Sequence, residues 1–323
     1  MPTPPADDLL RIHTYAAIEP GPRLLVMGGV HGDETGGTVG IERLKAELDS
    51  GALGLARGRL TLVPVANPMA RRLLRREGER NLNRAFRPRA EPRDYEDRLT
   101  NLLAPVIAQH EVLLDLHSFE SPGEAFAMIG PRDNPGPLEP FARAEEEGRL
   151  ALHIGTPTIV EGWLDIYAAA IARRAGGAMP SEDEIDYGRG TNEYIRNCGG
   201  YGVTLECGQH RDPQAPEVAW QAIRRTLALL GMAPLPEGLA AHPPARPRLL
   251  RLRDVTDRLH EGDTFVREWA TFDTVAAGEL IARRHDGSEV RAAADGHIVF
   301  PNPLARVGTE WFYFATPSER VLG

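Results

Sequence analysis

The sequence contains a single lysine, Lys45, among 323 residues, and that scarcity removes whole classes of function. Schiff-base catalysis and lysine-borne prosthetic groups would have to use it. Its setting, IERLKAEL, is an amphipathic helical pattern that predicts a solvated surface side chain. Cysteine is nearly as scarce. Cys198 and Cys207 are too few for a disulfide framework and stand in no CxxC pair, so a reducing cytoplasm is the expected home. No run approaches the roughly 18 apolar residues of a membrane helix, and residues 1–17 lack the apolar core of a signal peptide. Basic charge is also in deficit, with 37 Lys and Arg against 46 Asp and Glu, a net charge of −9. That balance excludes a general electrostatic footprint for nucleic acid or an anionic membrane. The run Arg71, Arg72, Arg75, Arg76 is a local exception, without the interleaved aromatics of a nucleic-acid surface.

What is present is the texture of a globular α/β chain. Short apolar runs alternate with helical patterns over residues 1–235. Arg23–Gly28 (RLLVMG), Arg59–Val65, Glu111–Leu116 (EVLLDL) and Gly202–Glu206 (GVTLE) read as strands. Residues 34–48, 95–109 and 216–230 read as helices. Between them, the Arg-rich segment 67–92 is longer than an ordinary connection. A Pro-rich stretch, with a linker at 236–247, precedes a change of texture. Residues 248–323 show short strands at 249–255, 264–269, 279–284, 296–300 and 311–314, with Asp286-Gly287 and Asp295-Gly296 as hairpin-type turns, the pattern of a small all-β domain.

Four segments carry chemistry. GGVHGDE (28–34) follows the first strand and sets His31 and Glu34 three residues apart at a strand-to-helix junction, a spacing that can bring both to one side of a turn. A lone HxxE also describes a solvated helix start. The glycines match neither nucleotide-loop pattern. LLDLHS (113–118) ends an apolar strand in His117, where open α/β sheets place their ligands. Asp115, on the same strand face, could orient the imidazole; read alone, the histidine is equally a satisfied core residue. VTLECGQH (203–210) ends a buried strand in Glu206, a carboxylate costly to bury without a partner, whereas Cys207 reads as a small core hydrophobe. RREGERNLNRAF (75–86) offers Asn83 and Arg84, an amide and a planar guanidinium suited to bidentate capture of a carboxylate. Leu82 and Phe86 would anchor that loop.

At these residues the chain resembles the succinylglutamate desuccinylase/aspartoacylase family, a branch of the zinc carboxypeptidase fold. HGDE, DLHS, NLNRAF and TLECGQ match in type, order and approximate spacing across about residues 20–230. The resemblance implies a mixed sheet flanked by helices and one zinc per chain on His31, Glu34 and His117. It implies Glu206 as the catalytic base toward a metal-activated water, and Arg76 as the group polarising the scissile carbonyl. Asn83, Arg84 and Arg196 are implied as substrate-binding. The sequence departs from the family at Asn81, where an acidic residue is common, and around Arg196 (GTNEYIRNCGGYG), where it looks closer to poorly defined bacterial members. Residues 248–323 resemble the family's barrel-sandwich domain, similar in shape to lipoyl and biotinyl carriers. That segment has no lysine, which excludes a carrier role.

The expected function is hydrolysis of the amide bond of a small N-acyl amino acid or related compound. The expected partner is therefore a small N-acyl substrate, with no nucleic acid and no membrane, and homo-oligomerisation is left open. Two alternatives accompany it. A metallocarboxypeptidase would trim longer peptides, whereas a deacylase would ignore them. A non-catalytic protein on the same fold would bind zinc without hydrolysing any acyl amide.

Overall fold

The computed structural model describes residues 9–174, 184, 186–240 and 246–323. Residues 1–8 and 241–245, on which parts of the targeting and linker expectations rest, lie outside the described residues. In chain order the strands are β1 (His13–Ala16), β2 (Arg23–Gly28), β3 (Arg59–Val63), β4 (Val112–Phe119), β5 (Phe126–Met128), β6 (Thr158–Glu161), β7 (Tyr201–Gln209), β8 (Arg248–Asp257), β9 (Thr264–Phe265), β10 (Thr274–Val275), β11 (Leu280–Arg283), β12 (Glu289–Arg291), β13 (Gly296–Val299) and β14 (Glu310–Pro317). The helices are α1 (Thr35–Asp49), α2 (Pro68–Leu73), α3 (Tyr95–Ala108), α4 (Ala144–Ile154), α5 (Trp163–Arg174), α6 (Thr191–Asn197) and α7 (Ala215–Leu229).

A mixed sheet organises the chain, in the order β1-β3-β2-β4-β7-β5-β6-β8-β14-β13-β10. Its centre, β3, β2, β4 and β7, is parallel. All eight residues of β4 are buried, as a strand covered by helices on both faces must be. The two-residue period of the strands sorts their side chains into two cores. Leu24, Val26, Leu114, Leu116, Val203 and Leu205 join Ile41 and Leu44 of α1 and Ile223 and Leu227 of α7. Leu25, Met27 and Leu113 join Leu103 and Ile107 of α3 and Ile195 of α6 on the other side. Asp115 and His117 of β4 share the parity of Leu113, so they lie on the α3/α6 side. Register then sets His117 opposite Glu206 on the neighbouring strand.

The Arg-rich connection is less irregular than its composition predicts. It contains α2, opened by Asn67, whose side chain accepts from Ala70 N, with Pro68 at the first helical turn. Six residues are too few to leave a helical period in the sequence. The remainder is held by two carboxylates at the start of α3. Glu96 accepts from the backbone N–H groups of Gly78, Glu79 and Arg80 and from Asn67 Nδ2. Asp97 accepts from the side chains of Arg80, Arg89 and Arg93; against the cost of burial, the backbone N–H of Arg93 and the side chains of Arg80 and Arg93 hold its carboxyl at about 2.

The sheet continues past the Pro-rich stretch. β8 runs parallel to β6, and β14, β13 and β10 follow antiparallel, while β9, β11 and β12 form a separate small sheet. An aromatic cluster joins β8, β13 and β14 to α5 and β6: Phe119, Phe126, Tyr167, Phe272 and Tyr313 pack with Leu250 and Leu252. This junction forms one wall of the cavity described next.

Candidate metal centre and active site

β2 ends at Gly28, and the chain turns through Gly29, at φ +59°, before α1 begins at Thr35. Gly32 in this turn lies against the backbone of Ala70, where a Cβ would collide with the carbonyl, so α2 and the HGDE turn can meet only with glycine there. The turn aims His31 and Glu34 at the end of β4. Glu34 Oε1 lies 2.7 Å from His31 Nδ1, and Oε2 lies 2.9 Å from His117 Nδ1 and accepts from Ser118 N. All three side chains are almost wholly buried, and one donor atom from each falls within 4.8 Å of the other two.

The tautomer of His31 tests this trio as a metal site. Asn81 Oδ1 accepts from Asn83 N at 2.9 Å, which identifies that atom as the amide oxygen, and it also faces His31 Nε2 at 3.0 Å. Nε2 therefore carries the proton, and the Nδ1 lone pair points at a carboxylate oxygen. Two acceptors at 2.7 Å require a positive centre between them. Burial, with Arg76 nearby, lowers the pKa of His31 and disfavours a proton in that role. The residues therefore fit a divalent cation, and two imidazole nitrogens with one carboxylate are a donor set that suits zinc. For His117, burial opposes charge, but Asp115 and Glu34 on either side outweigh it and hold the ring well above its ordinary range. Its Nε2 lies 3.1 Å from Asp115 Oδ2, off the line of a true hydrogen bond. Asp115 in turn accepts from Thr191 Oγ1. Among the described residues a second trio, Asp33, Glu34 and His210, shares Glu34, but the His210 Nδ1 faces Ser118 Oγ at 2.8 Å.

Glu206 stands beside this centre with Oε2 buried and, among the described residues, unpartnered. Burial pushes its carboxyl up to about 8, with Glu34 and Asp115 adding to the shift and His117 and Arg76 opposing it. A protonatable carboxyl beside a metal site is the equipment of general acid–base catalysis. Cys207 next to it packs into the core and its thiol is pushed up by burial, as the small-hydrophobe reading expects.

Arg76 Nη1 donates to Glu34 Oε1 at 3.2 Å while half its side chain meets solvent. Asn83 Oδ1 accepts from Thr191 N, and Arg84 is buried between aromatic rings. His31, Glu34, Arg76, Asn83, Arg84 and Glu206 all line one cavity of about 690 Å³. Arg196, expected to bind substrate, lines it too, and its guanidinium is paired within the chain. Nε donates to Glu147, Nη1 to Glu139 and Glu193, and Nη2 to Gly202 O. A guanidinium 5% exposed must be paired, and here the chain's own carboxylates occupy it. Sequence reasoning missed the far wall. Tyr313 read there only as part of the strand 311–314, and Glu310, Trp163 and Tyr187 carried no signal.

Among the described residues no helix is long and apolar enough to cross a membrane. Residues 20–138 match the family model of the succinylglutamate desuccinylase/aspartoacylase catalytic domain. The chain is 30% identical over 314 residues to succinylglutamate desuccinylase from Burkholderia pseudomallei (strain 1710b), covering 94% of this chain and 82% of that one. It is 26% identical to succinylglutamate desuccinylase from Pseudomonas paraeruginosa (strain DSM 24068 / PA7), covering 97% and 90%. Its fold resembles the crystal structure of a succinylglutamate desuccinylase/aspartoacylase from Rhodobacter sphaeroides, with TM-score 0.69 and 19% identity over 96% of this chain and 90% of that one. It equally resembles the product-bound structure of the ectoine utilization protein EutE (DoeB) from Ruegeria pomeroyi, with TM-score 0.69 and 20% identity over 94% and 88%.

Proposed function

The chain belongs to the succinylglutamate desuccinylase/aspartoacylase family, and from that premise we propose that it is a zinc-dependent hydrolase of the amide bond of a small N-acyl amino acid or related compound. The observation that carries this reading is the buried trio of His31, Glu34 and His117 with Glu206 beside it. One zinc would be held by that trio, and when bound it supplies Lewis-acid chemistry, acidifying a water and polarising a carbonyl.

The chain's own residues do the rest. Glu206 Oε2, buried and without a hydrogen-bond partner among the described residues, takes the water's proton, holds it, and returns it to the leaving amine. Arg76 brings a guanidinium to the edge of the trio, placed to stabilise negative charge developing on the scissile oxygen. Asn83 and Arg84 hold the substrate carboxylate and so fix the direction in which the amide enters. Phe300, Asn302, Leu304 and Tyr313 of the C-terminal segment close one side of the cavity, which favours a small acyl compound over a peptide. We take the protein to work on small molecules, with no nucleic-acid or membrane partner, in a reducing cytoplasm where Cys198 and Cys207 stay free.

The test is a mass-spectrometric screen of N-acetyl and N-succinyl amino acids and of C-terminal peptides with the zinc-loaded protein. Release of free acid from the acyl amino acids alone is expected. Trimming of peptides would move the protein to the carboxypeptidases, and bound zinc without any hydrolysis would make it a binding protein.

A further inference from the structure

Arg84, the proposed carboxylate anchor, is not alone. Its guanidinium lies 5.2 Å from the ring centre of Trp163, 5.4 Å from that of Tyr167 and 5.7 Å from that of Tyr187. Nη1 donates to Asn83 O and Nη2 to Tyr167 OH, while Nε is buried with no partner among the described residues. Beside it stands a carboxylate from a distant part of the chain. Glu310, at the start of β14, brings Oε1 to 3.7 Å from Arg84 Nη2. Tyr167 OH donates to Glu310 Oε1 at 2.6 Å, and since that is its only proton, Tyr313 OH must donate to Tyr167 in their 2.9 Å contact. The hydroxyls thus point toward the carboxylate. Burial opposes its charge, but Arg84 and Tyr167 hold Glu310 below the ordinary carboxylate range, so it is an anion at neutral pH.

This end of the cavity therefore presents one cation and one anion side by side, with aromatic walls. A substrate head carrying two carboxylates would set one of them against Glu310. A head carrying a carboxylate and an ammonium on the same carbon meets opposite charge at both positions, and 3.7 Å between the protein's charges matches that spacing. We infer that Glu310 is a specificity-determining residue, and that the substrate is a diamino acid acylated on its side-chain nitrogen, held by its free α-carboxylate at Arg84 and its free α-ammonium at Glu310. The inference rests on the deacylase reading above and adds which nitrogen carries the acyl group. Arg76 joins the two ends of the cavity: it is bonded to Glu34, and its charge also bears on Glu310. A head held at Arg84 and Glu310 thus places its side chain along Arg76 toward the metal trio.

The test compares zinc-loaded wild type and Glu310→Gln on Nδ-acetyl-L-ornithine, its deamino analogue δ-acetamidovalerate, and N-acetyl-L-glutamate. Glutamine can still accept the Tyr167 proton, so the wall is retained. Wild type should prefer the ornithine compound to its deamino analogue by about ten- to a hundredfold in kcat/KM, chiefly through KM, the worth of one charged hydrogen bond. The substitution should erase that preference and leave the deamino analogue nearly unchanged. A binding measurement stands apart from turnover: L-ornithine should raise the melting temperature of wild type more than δ-aminovalerate does, and of Glu310→Gln no more than δ-aminovalerate does. Equal losses on both amides would reduce Glu310 to a structural partner of Arg84 and overturn the inference. So would faster cleavage of N-acetyl-L-glutamate, or no extra protection of wild type by L-ornithine. Absence of hydrolysis throughout, with L-ornithine still protecting, would fail the deacylase reading and leave the zwitterion site standing.

Discussion

The two ends of the cavity are built in opposite ways. The metal end comes from contiguous motifs at the tips of adjacent parallel strands, with His31 and Glu34 after β2, His117 on β4 and Glu206 on β7. Its charged groups are buried and close to one another, and burial pushes the Glu206 carboxyl, a strand away from His117, up to about 8. The head-group end is assembled from the 75–86 loop, α5, the segment before α6 and the start of β14, and no two of its charged groups are neighbours in sequence. The difference teaches which end the chemistry constrains. Bond-making needs donors fixed within fractions of an ångström, and strand register supplies that. Selectivity is decided by whichever side chain the far wall presents.

The sharpest way to break the comparison is Glu206→Gln. Turnover should fall by about 10²- to 10⁴-fold with zinc content unchanged by atomic absorption, since the lost group is a base and not a ligand. Near-normal turnover would place the base elsewhere.

A second effect is on stability, in the metal-free protein. The folded-state carboxyl of Glu206 lies above its unfolded value, so the native protein keeps a proton that the unfolded chain releases. This residue's contribution is therefore full below about pH 4.5 and is lost as pH rises through about 8. Denaturant unfolding of chelator-treated wild type and Glu206→Gln at both ends of that window should show the variant gaining on the order of 2–4 kcal/mol relative to wild type as pH rises. A constant difference across the window would mean that Glu206 titrates normally.

Asn81→Leu sharpens the metal end further. Removing the oxygen that fixes the His31 tautomer should weaken zinc binding about 10- to 100-fold in a chelator competition. Unchanged affinity would mean that Asn81 serves only the loop. At the other end, Arg84→Lys should raise KM about tenfold with little change in kcat, because an ammonium cannot reproduce the planar fork. A fall in kcat alone would tie Arg84 to the reaction centre instead.

Much of the metal end was legible in the sequence. RLLVMG and EVLLDL read as strands, and β2 and β4 are buried strands there, β4 running on to Phe119, because unbroken apolar runs have few other ways to lie between helices. The short elements β1, β5, β6, α2 and α6 were not legible, since three to seven residues carry too little periodicity to distinguish them from loops. The pairing of Arg196 was not legible either, because sequence shows a guanidinium but not what surrounds it. Glu139, Glu147 and Glu193 reach it from separate elements, and burial makes the four inseparable.

The amino-acid sequence by itself determined the central strands and the residue types of the candidate metal site: local pattern sets the strands, and strand ends followed by Gly-rich turns are where polar residues can stand beside buried ones. Only the tertiary structure decided the head-group site. Glu310 lies 226 positions after Arg84 and appears in sequence as one polar residue preceding an apolar strand. The charge pair exists because β8 adds to the edge of the main sheet at β6 and carries β14 with it, bringing that carboxylate over the cavity. Long-range strand pairing of this kind leaves no local trace, because its energy lies in contacts between segments that are each unremarkable alone.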